Sequence, residues 1–167
     1  MTTGMQNLSV TKSVTVRAPR TRAFAVFTER FATWWPSSHH IGAAEMADAV
    51  IEPEVGGRWY ERGVDGSECD WGRVLAYEPP ARLVLSWHLR GDWTYDPDPR
   101  NASEVEVRFT EDETGTTTVE LSHRHIERHA VPEEVLRGVD SPNGWSGLLA
   151  TYAESVIRCA ERPRPLP

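Results

Sequence analysis

The chain has little cysteine. Its 167 residues include 2 Cys, Cys69 and Cys159, which belong to no metal-binding or disulfide motif. We therefore expect free thiols in a reducing compartment, with a disulfide between the two left open. Long apolar runs are absent too, since none approaches the roughly 20 residues of a membrane span. Residues 1–10 lack the basic start and apolar core of a secretory signal, so we expect a cytoplasmic protein.

Positive charge is also scarce, since 18 Lys and Arg stand against 25 Asp and Glu, for a net charge of −7. This disfavours nucleic acid and anionic membranes as partners, because both bind a basic face. There is no Gly-rich phosphate loop, no G-x-S-x-G and no H-E-x-x-H, and we predict no cofactor. Histidines crowd at 39–40 and 123–129, but no cysteine accompanies them, and we predict no metal site.

Tryptophan, in contrast, is plentiful: 7 Trp stand beside 4 Tyr and 4 Phe. So many large rings require either a wide core or a pocket that some of them line. The composition, 39% hydrophobic and 26% charged, is that of an ordinary globular protein. We predict one domain over residues 8–161, with flexible tails at 1–7 and 162–167.

The stretch Ser141–Glu161 predicts a long helix. Its apolar residues recur at steps of three and four, which places them on one helix face. Ser141-Pro142 is a suitable start, although Asn143-Gly144 could delay it by a turn. The residues predicted to face inward are Trp145, Leu148, Leu149, Tyr152, Val156 and Cys159.

Before this helix, the pattern predicts one strand, two short helices and then strands joined by short turns. Without repeated strand-helix-strand units, the sheet should be an antiparallel meander of six or seven strands, and the class α+β. Such a sheet is roughly 30 Å wide, which one helix cannot cover unless the sheet curls around it. A curled sheet that grips one helix leaves a gap, and this gap predicts an internal pocket.

Several segments carry a resemblance to a known family. They read VTVRAPRTRAFAVFTE, a short WW, EPEVGGRWYER, WGRVLAYEPPARLVLSW, SEVEVRFTEDETGTTTVELSHRHIERH and GWSGLLATYAE. Together they resemble the START/Bet v 1-like (SRPBCC) helix-grip superfamily, in the bacterial branch similar to the C-terminal domain of the heat-shock-protein-90 ATPase activator. The resemblance spans Leu8 to about Glu161 and implies a helix-grip fold. The superfamily includes hydrophobic-ligand binders, cyclases, dehydratases and chaperone-associated domains, so it does not fix the function.

Strand alternation assigns faces to the candidate polar residues. His123 shares the inward face of Val119 and Leu121, where it could act as a general base or as a hydrogen-bond partner of a ligand. The alternative is a histidine at a strand end, bonded to a backbone carbonyl. Trp87 should likewise face inward and His88 outward.

Arg73 should follow Trp71 to whichever face that tryptophan takes. If both point inward, the arginine needs a carboxylate, and we favour a structural pair with Glu61 over contact with an acidic ligand. If the protein is an enzyme, Glu61 or Asp70 is the candidate to act beside His123.

The predicted ligand-binding set consists mainly of aromatic residues. Trp93 and Tyr95 lie in the long polar stretch Arg90–Ala102, where they could cap a cavity mouth, stack on a ligand or contact a partner. The full set is Trp34, Trp35, Trp59, Trp71, Arg73, Trp87, Trp93, Tyr95, His123, Trp145 and Leu149.

These features favour non-covalent binding of a small apolar or aromatic molecule in an internal cavity. One alternative is a cavity enzyme of cyclase, dehydratase or hydrolase type, with His123 as acid and base. The other is a chaperone-associated interaction domain, which an exposed apolar patch around Trp93 would favour. The sequence is compatible with a homodimer but specifies no interface.

Overall fold

The structure, a computed structural model, describes residues 8–36 and 39–161, apart from the side chains of 159–161. Within this part the chain forms seven strands and four α-helices, joined by turns and short irregular helices. The strands are β1 (Val10–Val16), β2 (Met46–Ile51), β3 (Arg58–Gly63), β4 (Glu68–Glu78), β5 (Arg82–Trp87), β6 (Ser103–Glu111) and β7 (Thr117–Arg124). The helices are α1 (Arg20–Thr28), α2 (Phe31–Trp34), α3 (Pro132–Val139) and α4 (Gly147–Glu161).

All seven strands form one antiparallel sheet in the order β1-β7-β6-β5-β4-β3-β2. The strands after α2 therefore pair in sequence as a meander, and β1 joins the far edge beside β7. The sheet curls around α4, and the predicted α+β helix-grip fold is confirmed. The predicted flexible tails lie outside the described residues, and no described helix is long and apolar enough to cross a membrane.

Helix α4 begins at Gly147, later than Ser141. Gly144 has ψ −138°, which breaks the helical path within the turn Pro142–Ser146, so the delayed start is the correct alternative. The inward residues from Trp145 to Val156 are buried as predicted, and the Cys159 side chain lies outside the described part. Ser155 is buried as well, beside Thr33, with 3.2 Å between their hydroxyl oxygens.

Two irregularities in the pairing of β4 change which residues face the core. The register shifts opposite Trp59 and Tyr60, and again after Val74. Each extra residue reverses the alternation, so Trp71 and Val74 are both buried although they are three residues apart. The prediction that Arg73 shares the face of Trp71 is therefore wrong.

The segment after β5 covers the outer face of the sheet. Leu89 bridges to Tyr95, whose ring stacks on His88 at 5.3 Å. His88 Nδ1 donates to the carbonyl of Asp96 at 2.8 Å, and its Nε2 lies 2.9 Å from Ser86 Oγ. His88 is on the outer face as predicted, but it is buried rather than exposed, and burial lowers its pKa. Strand alternation could not show that a loop covers this face.

Candidate functional site

A cavity of about 340 Å³ lies between the inner face of the sheet, α3 and the start of α4. Its volume is near the lower end of the range for small-molecule pockets. Much of its wall is aromatic. The tryptophans that line it are Trp35, Trp71, Trp87, Trp93 and Trp145.

All five of these tryptophans belong to the predicted ligand-binding set. The remaining members of that set lie elsewhere. Trp34, Trp59 and Leu149 are buried in the core without lining the cavity. Tyr95 lies at the outer surface of the sheet.

Arg73 also lies on the outer face, where its Nη1 is 3.3 Å from Asp70 Oδ2. The pair with Glu61 that we favoured is therefore wrong, because the shift in β4 turns Arg73 away from the core. Asp70 is shared, since it also accepts from Arg58 Nη2 at 2.8 Å.

The indole N–H groups of four cavity tryptophans point to protein acceptors. Trp35 donates to the His39 carbonyl at 3.0 Å and Trp87 to the Leu89 carbonyl at 3.1 Å. The other two N–H groups reach side chains: that of Trp71 bonds to Glu61 at 3.0 Å, and that of Trp145 to His123 at 2.9 Å. Because an indole has one donor, these four rings offer a ligand only apolar and π surface.

His123 belongs to a buried chain of hydrogen bonds behind Trp145. Its Nδ1 must accept from Trp145, because an indole nitrogen only donates. Its proton is therefore on Nε2, which is 2.7 Å from Ser103 Oγ. The Ser103 hydroxyl in turn donates to His129 Nε2 at 2.8 Å. When both histidines are neutral, a single arrangement of protons gives each of the three hydrogen bonds in this chain one donor and one acceptor.

The inward orientation predicted for His123 is confirmed, because the side chain is fully buried. It does not line the cavity, however, and Trp145 and Trp87 stand next to it, with the Trp87 ring at 5.1 Å. Burial lowers its pKa to about 3, and lowers that of His129 to about 4. A neutral histidine with both nitrogens bonded to side chains is suited to holding Trp145 in place.

Glu61 is buried directly behind the cavity wall. Its Oε1 accepts from the backbone N–H of Ile41 at 2.7 Å and from Trp71, while Oε2 accepts from the Gly42 N–H at 3.1 Å. No arginine or lysine of the described residues pairs with it. The carboxylate thus fastens the segment before β2 to the cavity wall.

Four polar side chains line the cavity beside its aromatic wall: His39, His40, Ser141 and Asn143. None of them belongs to the predicted ligand-binding set, because they lie in loops where no periodicity assigns a face. The one available signal was the pair His39-His40 so close to Trp35 and Ile41. These are the polar groups that a ligand in the cavity would meet.

Trp93 stands at the edge of the cavity with its side chain about half exposed, at 46%. Its backbone φ is +66°, a left-handed conformation that few residues other than glycine adopt. Its ring lies 6.4 Å from that of Trp87. A Cβ on Gly138 would come within 3.3 Å of the Trp93 ring, so the glycine leaves room for it against α3.

Possible metal ligands, the free cysteine and the exposed apolar side chains were the other candidate features. In the described part of the chain, no three His, Cys, Asp or Glu side chains are placed to share a metal ion. Cys69 is a free thiol whose pKa is raised by burial. The exposed large apolar side chains lie on separate segments of the chain. They are Val55, Val64, Leu75, Trp93, Val131 and Ile157.

The fold and cavity together define a helix-grip protein with an aromatic pocket. The family model "Activator of Hsp90 ATPase homolog 1-like protein" matches residues 17–152, and the chain belongs to this family. No curated protein matches the chain.

Solved structures provide more specific similarities. The chain is 43% identical to the anthrahydroquino-γ-pyrone synthase Txn09, over 87% of this chain and 95% of that one, with a TM-score of 0.60. It is 32% identical to CalC, a self-sacrificing resistance protein from Micromonospora echinospora, over 92% and 97% of the two chains, with a TM-score of 0.68. An AHSA1-like protein from Aeromonas hydrophila shares the fold at 16% identity, with a TM-score of 0.59 over 96% and 99%.

Proposed function

We propose that this protein binds a planar aromatic molecule in the cavity of about 340 Å³. The observation that carries the proposal is the wall of five tryptophans, four of which have their N–H groups bonded to the protein. Such a wall offers wide apolar faces, and its rings lose little side-chain entropy when a ligand binds. It requires few hydrogen bonds from the ligand.

The similarity to Txn09 supports an aromatic ligand. That relative is named for making an anthrahydroquinone fused to a γ-pyrone, and the likeness extends over most of both chains. The proposal takes from it the class of ligand, a fused aromatic ring system.

A matched pair of substitutions on α4 tests this function. Leu148 lines the cavity, whereas Ile157 on the same helix is 43% exposed. We expect Leu148→Trp to fill the cavity and weaken binding of 2-methoxynaphthalene and anthraquinone more than tenfold, because the ligand loses its space. Ile157→Trp adds the same ring outside and should leave binding unchanged. Isothermal titration calorimetry measures both, and equal affinities for the two variants would contradict the proposal.

A second candidate is an enzyme that closes an oxygen ring on such a molecule. The observations that favour it are the identity to a γ-pyrone synthase and the histidines at 39 and 40 in the cavity wall. In this reaction a phenol oxygen attacks a ketone carbon, a histidine takes the phenol proton, and the resulting hemiketal loses water to give the pyrone.

The test uses 1-(2-hydroxyphenyl)butane-1,3-dione, which closes to a γ-pyrone with loss of one water. Formation of the product is followed by ultraviolet absorbance with and without the protein. Acceleration that Leu148→Trp abolishes supports the enzyme. Tight binding without acceleration of this reaction favours the binding function instead.

A further inference from the structure

We propose that the cavity selects aromatic ligands that carry a hydroxyl group, with Nε2 of His40 as the acceptor and Glu61 as the residue that positions it. The inference rests on the proposed function and narrows its ligand class from aromatic molecules to phenols.

The first step is the orientation of His40. Its Nδ1 lies 2.9 Å from the carbonyl oxygen of Gly42. A carbonyl oxygen only accepts, so Nδ1 carries a proton and donates it. In the neutral ring Nε2 then has a lone pair, and no described residue donates to it. Because the side chain lines the cavity, this lone pair is available to a ligand donor.

The second step is the polarity of the neighbouring groups. The Ser141 hydroxyl donates to the Gly138 carbonyl at 2.8 Å, which leaves its lone pairs as acceptors. Ser141 and His40 therefore both present lone pairs to the cavity. The four bonded tryptophan N–H groups cannot serve a ligand carbonyl. Asn143, also in the wall, can donate or accept through its amide and so serves either kind of ligand. The acceptors of His40 and Ser141 therefore favour a ligand that supplies a hydrogen from a hydroxyl over one that supplies only oxygen acceptors.

The third step connects His40 to Glu61. The buried carboxylate holds the N–H groups of Ile41 and Gly42 at 2.7 Å and 3.1 Å. Gly42 also provides the carbonyl that orients His40, so the carboxylate holds in place the residue whose carbonyl orients the imidazole. Glu61 also accepts from the N–H of Trp71, another cavity residue. It is thus a positioning residue for both the polar and the aromatic part of the wall.

The test compares two probes that differ in one donor. 2-Naphthol donates a hydrogen bond through its hydroxyl, whereas 2-methoxynaphthalene has no donor. For the unaltered protein we expect 2-naphthol to bind about tenfold more tightly, since one well-placed hydrogen bond contributes about that factor. Calorimetry gives both dissociation constants and their ratio.

His40→Leu removes the acceptor and keeps an apolar side chain. We expect the ratio to fall to about one, with the affinity for 2-methoxynaphthalene changed less than about twofold. Glu61→Gln should also lower the ratio, because an amide N–H then replaces one of the oxygens that hold the 41–42 backbone. Loosening of the fold alone would weaken both probes equally, so the ratio separates positioning from structure. His125→Asn, outside the cavity and at a φ of +62° that asparagine tolerates, is the control and should keep the full ratio.

The outcomes are distinct. A ratio near one in the unaltered protein, or one that His40→Leu leaves intact, overturns the inference while the cavity still binds aromatic molecules. If neither probe binds, the inference and the proposed function fail together. If a variant does not fold, the ¹⁵N resonance of His40 Nε2 in the unaltered protein decides. It should shift with 2-naphthol and not with 2-methoxynaphthalene, and equal shifts would refute the hydrogen bond.

Discussion

Lowering the pH from 7 to 5 should destabilise this protein through the chain Trp145–His123–Ser103–His129. In the folded state both histidines stay neutral, because burial lowers their pKa values to about 3 and about 4. In the unfolded chain a histidine has a pKa of about 6.5 and takes up a proton below it. The unfolded state therefore binds more protons in this window, and the free energy of unfolding falls as the pH falls.

The magnitude follows from the distance of about 1.5 units between pH 5 and the unfolded-state pKa of about 6.5, because both folded-state pKa values lie below pH 5. One pKa unit corresponds to about 1.4 kcal/mol, so at pH 5 each histidine contributes a loss of about 2 kcal/mol. The two together give about 4 kcal/mol, and His88, whose pKa burial also lowers, adds in the same direction. Carboxylates with lowered pKa values, such as Glu104 and Glu106, lose their contribution only at lower pH. The range from pH 5 to 7 thus isolates the histidines.

The assay is urea unfolding at half-unit steps between pH 5 and 7, followed by tryptophan fluorescence. His123→Asn keeps an acceptor for the Trp145 N–H, because the amide oxygen takes the place of Nδ1, and it removes one titrating group. We expect the loss between pH 7 and 5 to shrink by about 2 kcal/mol. His125→Asn is the control, since this half-exposed residue has a φ of +62°, which asparagine tolerates. Equal pH dependence in the original protein and His123→Asn would refute the assignment of neutral His123.

Three further changes test the packing around the site. Gly72→Ala should prevent stable folding, seen as loss of a cooperative thermal transition, because its Cβ would collide with the Ser86 carbonyl. Tyr152→Phe should lower the free energy of unfolding in urea by about 1–2 kcal/mol, since the buried hydroxyl donates to the Ala23 carbonyl at 2.6 Å. Trp93→Ala should lower that free energy by about 1–2 kcal/mol, because about half of this large side chain is buried beside Trp87 and Gly138, and should also speed ligand release in stopped-flow measurements.

The parts of the fold that could be predicted are those in which one periodicity extends without interruption. The alternation through Val119, Leu121 and His123 and the helical spacing of Leu149 and Tyr152 both placed residues in the core correctly. The face of Arg73 was wrong because the irregularities in β4 reverse the alternation. The local feature beside the first irregularity is Gly72, since a glycine inside a strand often marks a bulge.

The candidate site divides in the same way. Trp87 on β5 and Trp145 just before α4 could be predicted to face inward, because periodicity assigns their faces. The face of Trp71 stayed open, and Trp59, predicted for the same set, lies in the core without lining the cavity. His40 could not be predicted, because it lies in a loop whose shape depends on Glu61, a residue about twenty positions later that no local pattern connects to it. Likewise, the acceptors behind Trp71 and Trp145 come from other strands, so only the tertiary structure identifies them.

The aromatic wall and the polar loop residues of the cavity should differ in how well they tolerate substitution. The aromatic wall depends on buried acceptors, namely Glu61 and His123, whose loss would leave an indole N–H unsatisfied and destabilise the fold. The groups that a ligand meets at the polar side, His40, Ser141 and Asn143, lie on loops and are only partly buried or exposed. Substitutions there can alter which ligand donors and acceptors are matched at little cost in stability. The choice between ligands should therefore depend on the loop residues, and the binding of an aromatic ring on the sheet residues. We expect substitutions of His40 to alter the ratio of the two probe affinities while they leave the melting temperature nearly unchanged.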